Sequence, residues 1–217
     1  MDDSIRNMIV GSIVLVLLSM YGGDTLGSWF HWEHDTDFND GDRGEIVIDF
    51  YLKEYKMEGE FNAGSESGLS DDDYDEDFDY DDNDCAVTTD CDEMEDLMQG
   101  KIKNLLYIVI LAGFAALYFL NDGDQEKGAL ACMAMGGAGL LAAALFALNF
   151  PEALADDLDA FEDPLDGFDE DPSLFGDDKQ TSDDNVEDER SWRPGFAFAL
   201  VILSGVIGMG AYAELKT

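Results

Sequence analysis

The chain has 217 residues, a formal net charge of −39 and 46% hydrophobic residues. Its 11 Lys and Arg are scattered, which excludes a basic surface for nucleic acid and a polybasic patch for anionic lipid. A uniformly acidic chain would repel itself out of a compact state, so charge and apolar residues must be segregated. They are: 27 of the 50 Asp and Glu lie between Gly23 and Gly100, and 17 between Phe150 and Ser191.

A helix needs about 20 mainly apolar residues to cross a typical hydrocarbon core. The first such stretch lies between Arg6 and Asp24, with Met8–Tyr21 as its centre. It has two readings, a retained signal-anchor helix or a cleaved secretory signal. Met20 and Tyr21 interrupt the small residues that a cleavage site wants, and Asp2 and Asp3 dilute the basic end. Both features favour retention.

Beyond it, Trp29 and Trp32 suit aromatic anchors at a membrane–water boundary, and Trp192 and Tyr212 bracket the last apolar stretch in the same way. His31 and His34 are three apart, and an extended backbone sends their rings to opposite faces. Asp35, Asp37, Asn39 and Asp42 alternate oxygen side chains before a turn, the pattern of a Ca²⁺ loop. Gly41 comes one place late and Ile46 stands where an EF-hand has Glu, so a solvated acidic turn competes with the Ca²⁺ reading. Apart from that Ca²⁺, no cofactor is expected.

Glu45–Lys53 alternates Ile46, Ile48, Phe50 and Leu52 against polar residues, and Tyr55, Met57, Gly59 and Phe61 continue the alternation. Period two in β-branched and aromatic residues predicts two antiparallel strands, with a third over Leu26–Glu33. Gly64–Asp84 is dense in like charge and poor in aliphatics, which predicts a solvated segment. Cys85 and Cys91 follow in a polar stretch and suit a disulfide in an oxidising compartment. Free thiols and half a metal site are the alternatives, although CxxC spacing is lacking. Met94, Leu97, Met98 and Ile102 then recur at helical spacing, predicting an amphipathic helix that runs into the second span.

The second and third spans, centred on Leu105–Leu120 and Ala129–Phe150, are joined by eight residues, Asn121–Gly128, and so form a hairpin. Cys132 reads as a packing residue. The second acidic loop offers a short helix at Pro151–Phe161 and then an irregular path past Pro164 and Pro172. The fourth span follows Arg193-Pro194. The charge-free cores predict an all-α membrane bundle of four helices with a small antiparallel β-sheet in the first loop. In residue numbers, the spans are 1–24, 102–121, 129–150 and 193–213. The acidic loops are 25–101 and 151–192, the inner turn 122–128 and the tail 214–217. Gly136, Gly139, Ser204 and Gly208 are spaced to let the last two helices approach closely.

The short turn puts both long loops on one side and both termini on the other. Counted beside the helices, Lys and Arg slightly favour loops inside. Long loops translocate largely regardless of charge, and the cysteine pair favours an oxidising exterior. The expectation is a multi-pass protein of the plasma membrane, with loops extracellular and termini cytoplasmic.

This plan resembles the claudin-like tetraspan superfamily. The matching features are the Trp after the first helix (Trp29 or Trp32), the strand segment Glu45–Phe61, the pair Cys85 and Cys91, and the helix leading into the second span. The resemblance implies a β-sheet in the first outer loop, a disulfide within that loop and a smaller second outer loop. No serine-nucleophile, zinc-protease or nucleotide-binding motif occurs, so no catalytic residue is assigned. The function expected is a non-enzymatic structural or interaction protein of the cell envelope, embedded in lipid and contacting a protein partner, its own copies or divalent cations. The alternative is a Ca²⁺-binding sensor or an accessory subunit of a transporter or channel.

Overall fold

A computed structural model describes residues 2–22, 26–37, 43–62, 72–80, 91–158, 176–181 and 187–216. Among them, four helical runs are long and apolar enough to cross a membrane. They are α1 (Asp3–Tyr21), α2 (Asp92–Asn121), α3 (Gln125–Leu158) and α4 (Phe196–Lys216). Six strands form one sheet: β1 (Phe30–Asp37), β2 (Arg43–Phe50), β3 (Glu54–Asn62), β4 (Asp72–Asp79), β5 (Gly176–Thr181) and β6 (Glu187–Pro194). The chain divides into a helix unit, Met1–Gly27 with Asp96–Phe150 and Phe196–Thr217, and a sheet unit, Ser28–Glu95 with Pro151–Gly195.

In the helix unit α1 packs on both α2 and α4. Asp2 caps α1, its carboxylate accepting from the Ser4 N–H at 2.7 Å. The first orphan donors of a helix need such a partner. The core of the unit is small and apolar: Ile9, Val16, Leu106, Val109, Cys132, Met135, Ala142 and Val201 are fully buried. Phe146 and Phe198 join α3 to α4 with ring centroids 5.2 Å apart. The outside is apolar too. Leu111, Phe114, Tyr118 and Leu148 are each more than half exposed. The few polar groups inside find partners at home, Ser19 Oγ on the Val16 carbonyl at 2.8 Å and Asn149 Nδ2 on the Leu145 carbonyl at 2.8 Å.

Ser12 of α1 and Ser204 of α4 are both fully buried and face each other. Their hydroxyl oxygens lie 2.7 Å apart, and each also reaches the other's backbone carbonyl, at 3.0 and 3.1 Å. The pair stitches the first helix to the last. Interhelical hydrogen bonds of this kind are worth about 0.6 kcal/mol on average and about 1.7 at most. In a double-mutant cycle, Ser12→Ala and Ser204→Ala should each destabilise the helix unit within that range. Together they should cost less than the sum of the two, because the second change removes a bond already broken. Additive losses in thermal unfolding would dismiss the coupling.

The amphipathic run leading into the second span is present, with Met94, Leu97, Met98 and Ile102 all buried. Its middle, Asp96–Ile102, is π-helical and includes Gly100. The predicted short helix at Pro151–Phe161 is not separate. It continues α3, which passes through Pro151 and gives up one backbone donor there.

The sheet is wholly antiparallel, in the order β4-β3-β2-β1-β6-β5. It is larger than expected and draws on both loops, so the expectation of a sheet confined to the first loop is corrected. The second loop supplies β5 and β6, because β6 pairs along its full length with β1. The first loop also supplies β4, inside the stretch read as solvated; the other residues of that stretch, 64–71 and 81–84, lie outside those described save Tyr80. The cause is that Tyr74, Phe78 and Tyr80 fall two or four apart and share a face. Phe78 stacks on Tyr55 at 5.1 Å.

One face of the sheet is apolar and buried, carrying Phe30, Trp32, Ile48, Phe50 and Tyr55. Here another expectation is corrected. Trp29 and Trp32 are 1% and 5% exposed. They are core residues of the sheet unit and do not serve as interfacial anchors. Trp29 begins the strand pairing by donating its N–H to the Phe50 carbonyl at 2.7 Å, and its own carbonyl accepts from the Gly195 N–H at 2.8 Å. A Cβ at Gly195 would lie 1.9 Å from the Ser28 carbonyl oxygen, so that crossing admits only glycine.

Candidate functional site

The opposite face of the sheet is polar, and register sorts it into rows. Near the Phe30–Pro194 end, Arg193, His31, Asp49, Lys56 and Asp77 stand opposite one another across five strands. From His31 to Asp77 bases and acids alternate and pair, while Arg193 stands beside His31 as a second base. His31 Nδ1 is 3.0 Å from Asp49 Oδ1, and its Nε2 is 3.6 Å from Glu33. Lys56 Nζ is 3.1 Å from Asp77. The bond to Asp49 raises the His31 pKa above its ordinary 6.5, against the effect of burial. Burial pushes Asp49 upward, but hydrogen bonds from His31 and Ser28 and the nearby charges of His31 and Arg193 outweigh it and leave the carboxyl below 3.8.

These shifts fix a pH window. A raised His pKa stabilises the fold fully below the unfolded value, and the gain fades as pH rises through the folded value. A depressed Asp pKa stabilises above its unfolded value and fades as pH falls through the folded one. The pair therefore helps most between pH 3.8 and 6.5 and less on either side. In His31→Gln, the decline in sheet melting temperature above pH 6.5 should flatten relative to the native chain. An unchanged alkaline slope would show that His31 does not carry it.

Farther along the strands the balance is lost. Asp35, Glu45, Glu60 and Asp73 stand in one row on β1, β2, β3 and β4, and the β6 residue of that row is Glu189. Carboxylate oxygens of Glu33, Asp35 and Glu45 can all lie within 4.8 Å of one another. Among the described side chains, Arg43 lies 3.7 Å from Asp35 and is 55% exposed. Partial burial, then Asp35 and Glu33, push the Glu45 pKa upward. Next to this row is an open hollow of about 380 Å³ lined by Glu45, Val47, Glu58, Glu60, Asp73 and Asp75. Such a face can attract cations or a basic surface.

Of the residues read as a Ca²⁺ loop, Asp35 and Asp37 belong to β1, with backbones paired to Glu45 and Arg43. Asn39 and Asp42 lie outside the described residues. Asp35 thus meets Glu45 across the sheet, with Glu33 two places before it on β1. His31 and His34 do lie on opposite faces. His34 sits 5.6 Å from the Trp32 ring and 3.3 Å from the Thr36 hydroxyl. Cys91 is buried at the head of α2, whereas Cys85 lies outside the described residues. Cys132 is a free, buried thiol.

In the helix unit Gly136 and Gly139 of α3 face Gly205 and Gly208 of α4 at backbone contact. Ser204 faces α1 through Ser12. Sequence spacing singled out Ser204 but gave no sign of its partner, 192 residues away. No protein-family model matches the chain, and no curated protein matches it.

Proposed function

We propose that this chain is a non-enzymatic integral membrane protein of the cell envelope, a structural or interaction protein of claudin-like plan. Its four apolar helices cross the plasma membrane, with the sheet outside and both termini inside. The observation that carries the reading is the pairing of β1 with β6, which makes one folded module from two separate acidic loops. The helices act as closely packed support for that module. Their apolar cores hold no Asp, Glu, Lys, Arg or His, and a substrate or ion pathway normally needs one. The exposed Leu111, Phe114, Tyr118 and Leu148 suit contact with lipid tails. The module presents its polar face to a partner protein or to a second copy.

The proposal includes a disulfide between Cys85 and Cys91. Its support is that Cys132 is a buried free thiol, which leaves Cys85 and Cys91 of the chain's three cysteines to pair with each other. Protease added outside intact cells should cut the loops and leave the termini untouched; the reverse pattern would sink the outward sheet and the disulfide together. Cross-linking in native membranes should trap neighbours of the sheet. Recovery of monomers alone would refute the interaction role.

A second reading, a divalent-cation sensor or an accessory subunit of a transporter or channel, is favoured by the convergence of Glu33, Asp35 and Glu45. It requires saturable heat on titration with Ca²⁺, abolished in Glu45→Gln. Absence of saturable heat at millimolar Ca²⁺ removes it.

A further inference from the structure

We propose that the sheet unit is an ionic-strength switch: it holds its fold in molar salt and opens from the β3–β4 edge inward when salt falls to the tenth-molar range. That opening depends neither on which side of the membrane the sheet faces nor on a bound ion.

Directly opposed residues on an antiparallel sheet have Cβ atoms about 4.5–5.5 Å apart, and like charges there are destabilising. Asp35 opposes Glu45, Glu45 opposes Glu60 and Glu60 opposes Asp73, so three successive pairs repel. The next row adds Glu58 against Asp75.

The edge strand β4 is the most exposed to this. Among the described residues its one strand neighbour is β3. On the polar face Asp73, Asp75, Asp77 and Asp79 meet Glu60, Glu58, Lys56 and Glu54, and only the Lys56 pair attracts. β4 is held by its backbone ladder, the stacking of Phe78 on Tyr55 and the single Lys56–Asp77 pair.

Screening decides which side wins. The Debye length is about 10 Å at 0.1 M salt, longer than the spacing of opposed pairs, and about 3 Å at 1 M, shorter than it. Dilute salt leaves every opposed pair repelling, and molar salt mutes them all. The Phe30–Pro194 end is protected by its own pairs, His31 with Asp49 and Lys56 with Asp77. Opening therefore starts at the far end of β3 and β4.

The test is amide hydrogen exchange on the full chain in nanodiscs of zwitterionic lipid, from about 0.1 to about 3 M KCl. Amides of β3 and β4 should exchange roughly tenfold faster at the low end, while those of α3 stay unchanged. The variant Glu60→Gln with Asp73→Asn should keep its protection at low salt. Both substitutions lie outside the Glu33, Asp35 and Glu45 group, so a lost cation site could not explain that result.

Protection that ignores KCl in the native chain would overturn the proposal. So would a variant with unchanged salt dependence. Full protection by sucrose at low salt would assign the effect to solute exclusion, and saturable protection by micromolar Ca²⁺ would assign it to a bound ion. Either would also overturn it.

Discussion

Gly136→Leu should destabilise the helix unit by about 3 kcal/mol, the upper range for overpacking a tight core. A Cβ at Gly136 would lie 2.6 Å from the Met209 nitrogen and 2.9 Å from the Gly205 oxygen. One at Gly208 would lie 2.8 Å from the Gly136 Cα. The obstructing atoms at Gly136 include backbone, so no change of rotamer makes room and the helices must separate. Gly137 supplies the control. A Cβ there meets nothing within 4 Å, so Gly137→Leu should stay within about 0.5 kcal/mol of the native chain. Unfolding in mixed micelles, followed by loss of helical signal, separates the two. Equal losses would mean that the close approach of α3 and α4 contributes nothing.

That contact matters because lipid tails are as apolar as the helix surfaces. Burial alone therefore gives little drive for helices to associate in a bilayer, and close packing and hydrogen bonds must supply it. This chain uses both. Glycines bring α3 and α4 to backbone contact, and Ser12 and Ser204 tie α1 to α4. A bundle held this way is closely packed, in keeping with the passive role proposed for it. The Ser12–Ser204 pair also bears on the first helix. Cleaving α1 as a leader would leave the buried Ser204 hydroxyl without that partner.

The sequence conveys these features unevenly, and the physical reasons differ. The helices are plain because about 20 apolar residues in a row is a signal contained within one segment. The strands β2 and β3 are nearly as plain, since Ile46, Ile48, Phe50, Tyr55 and Met57 keep strict alternation. The strand β4 is masked because Asp fills its polar face and also much of the ground between Tyr74 and Phe78, and composition outweighs periodicity there. β6 has no apolar alternation to detect; Glu187–Pro194 is a strand because β1 offers it a backbone ladder. The pairing of Ser12 with Ser204 and the meeting of Glu45 with Glu33 and Asp35 are products of tertiary register. No local pattern encodes them. Trp29 and Trp32 misled for a related reason: a Trp near a span fits an interface or a core equally well, and only the partner strands decide.

Phe50→Ala should cost the sheet unit about 3–5 kcal/mol, the usual range for removing a buried aromatic side chain. Phe50 is 5% exposed and sits between Phe30 and Tyr55, with ring centroids 6.1 and 5.8 Å away. Tyr55 continues the row to Phe78 and Tyr80, at 5.1 and 6.0 Å. Four strands thus share one aromatic seam, and Phe50 joins its two halves. Whole domains are commonly stable by only about 5–15 kcal/mol, so the loss is a large share of the total. Tyr74 is the matched control. It lies on β4 but is 40% exposed, so Tyr74→Ala should cost under about 1 kcal/mol. Hydrogen exchange of β1–β4 amides in molar KCl reads both variants with charge repulsion screened. If Phe50→Ala then keeps native protection, the aromatic seam is not what closes the sheet. The balance between that seam and the carboxylate row on the other face would then have to be redrawn, because the ionic-strength switch requires apolar stacking strong enough to hold β3 and β4 together once the charges are muted.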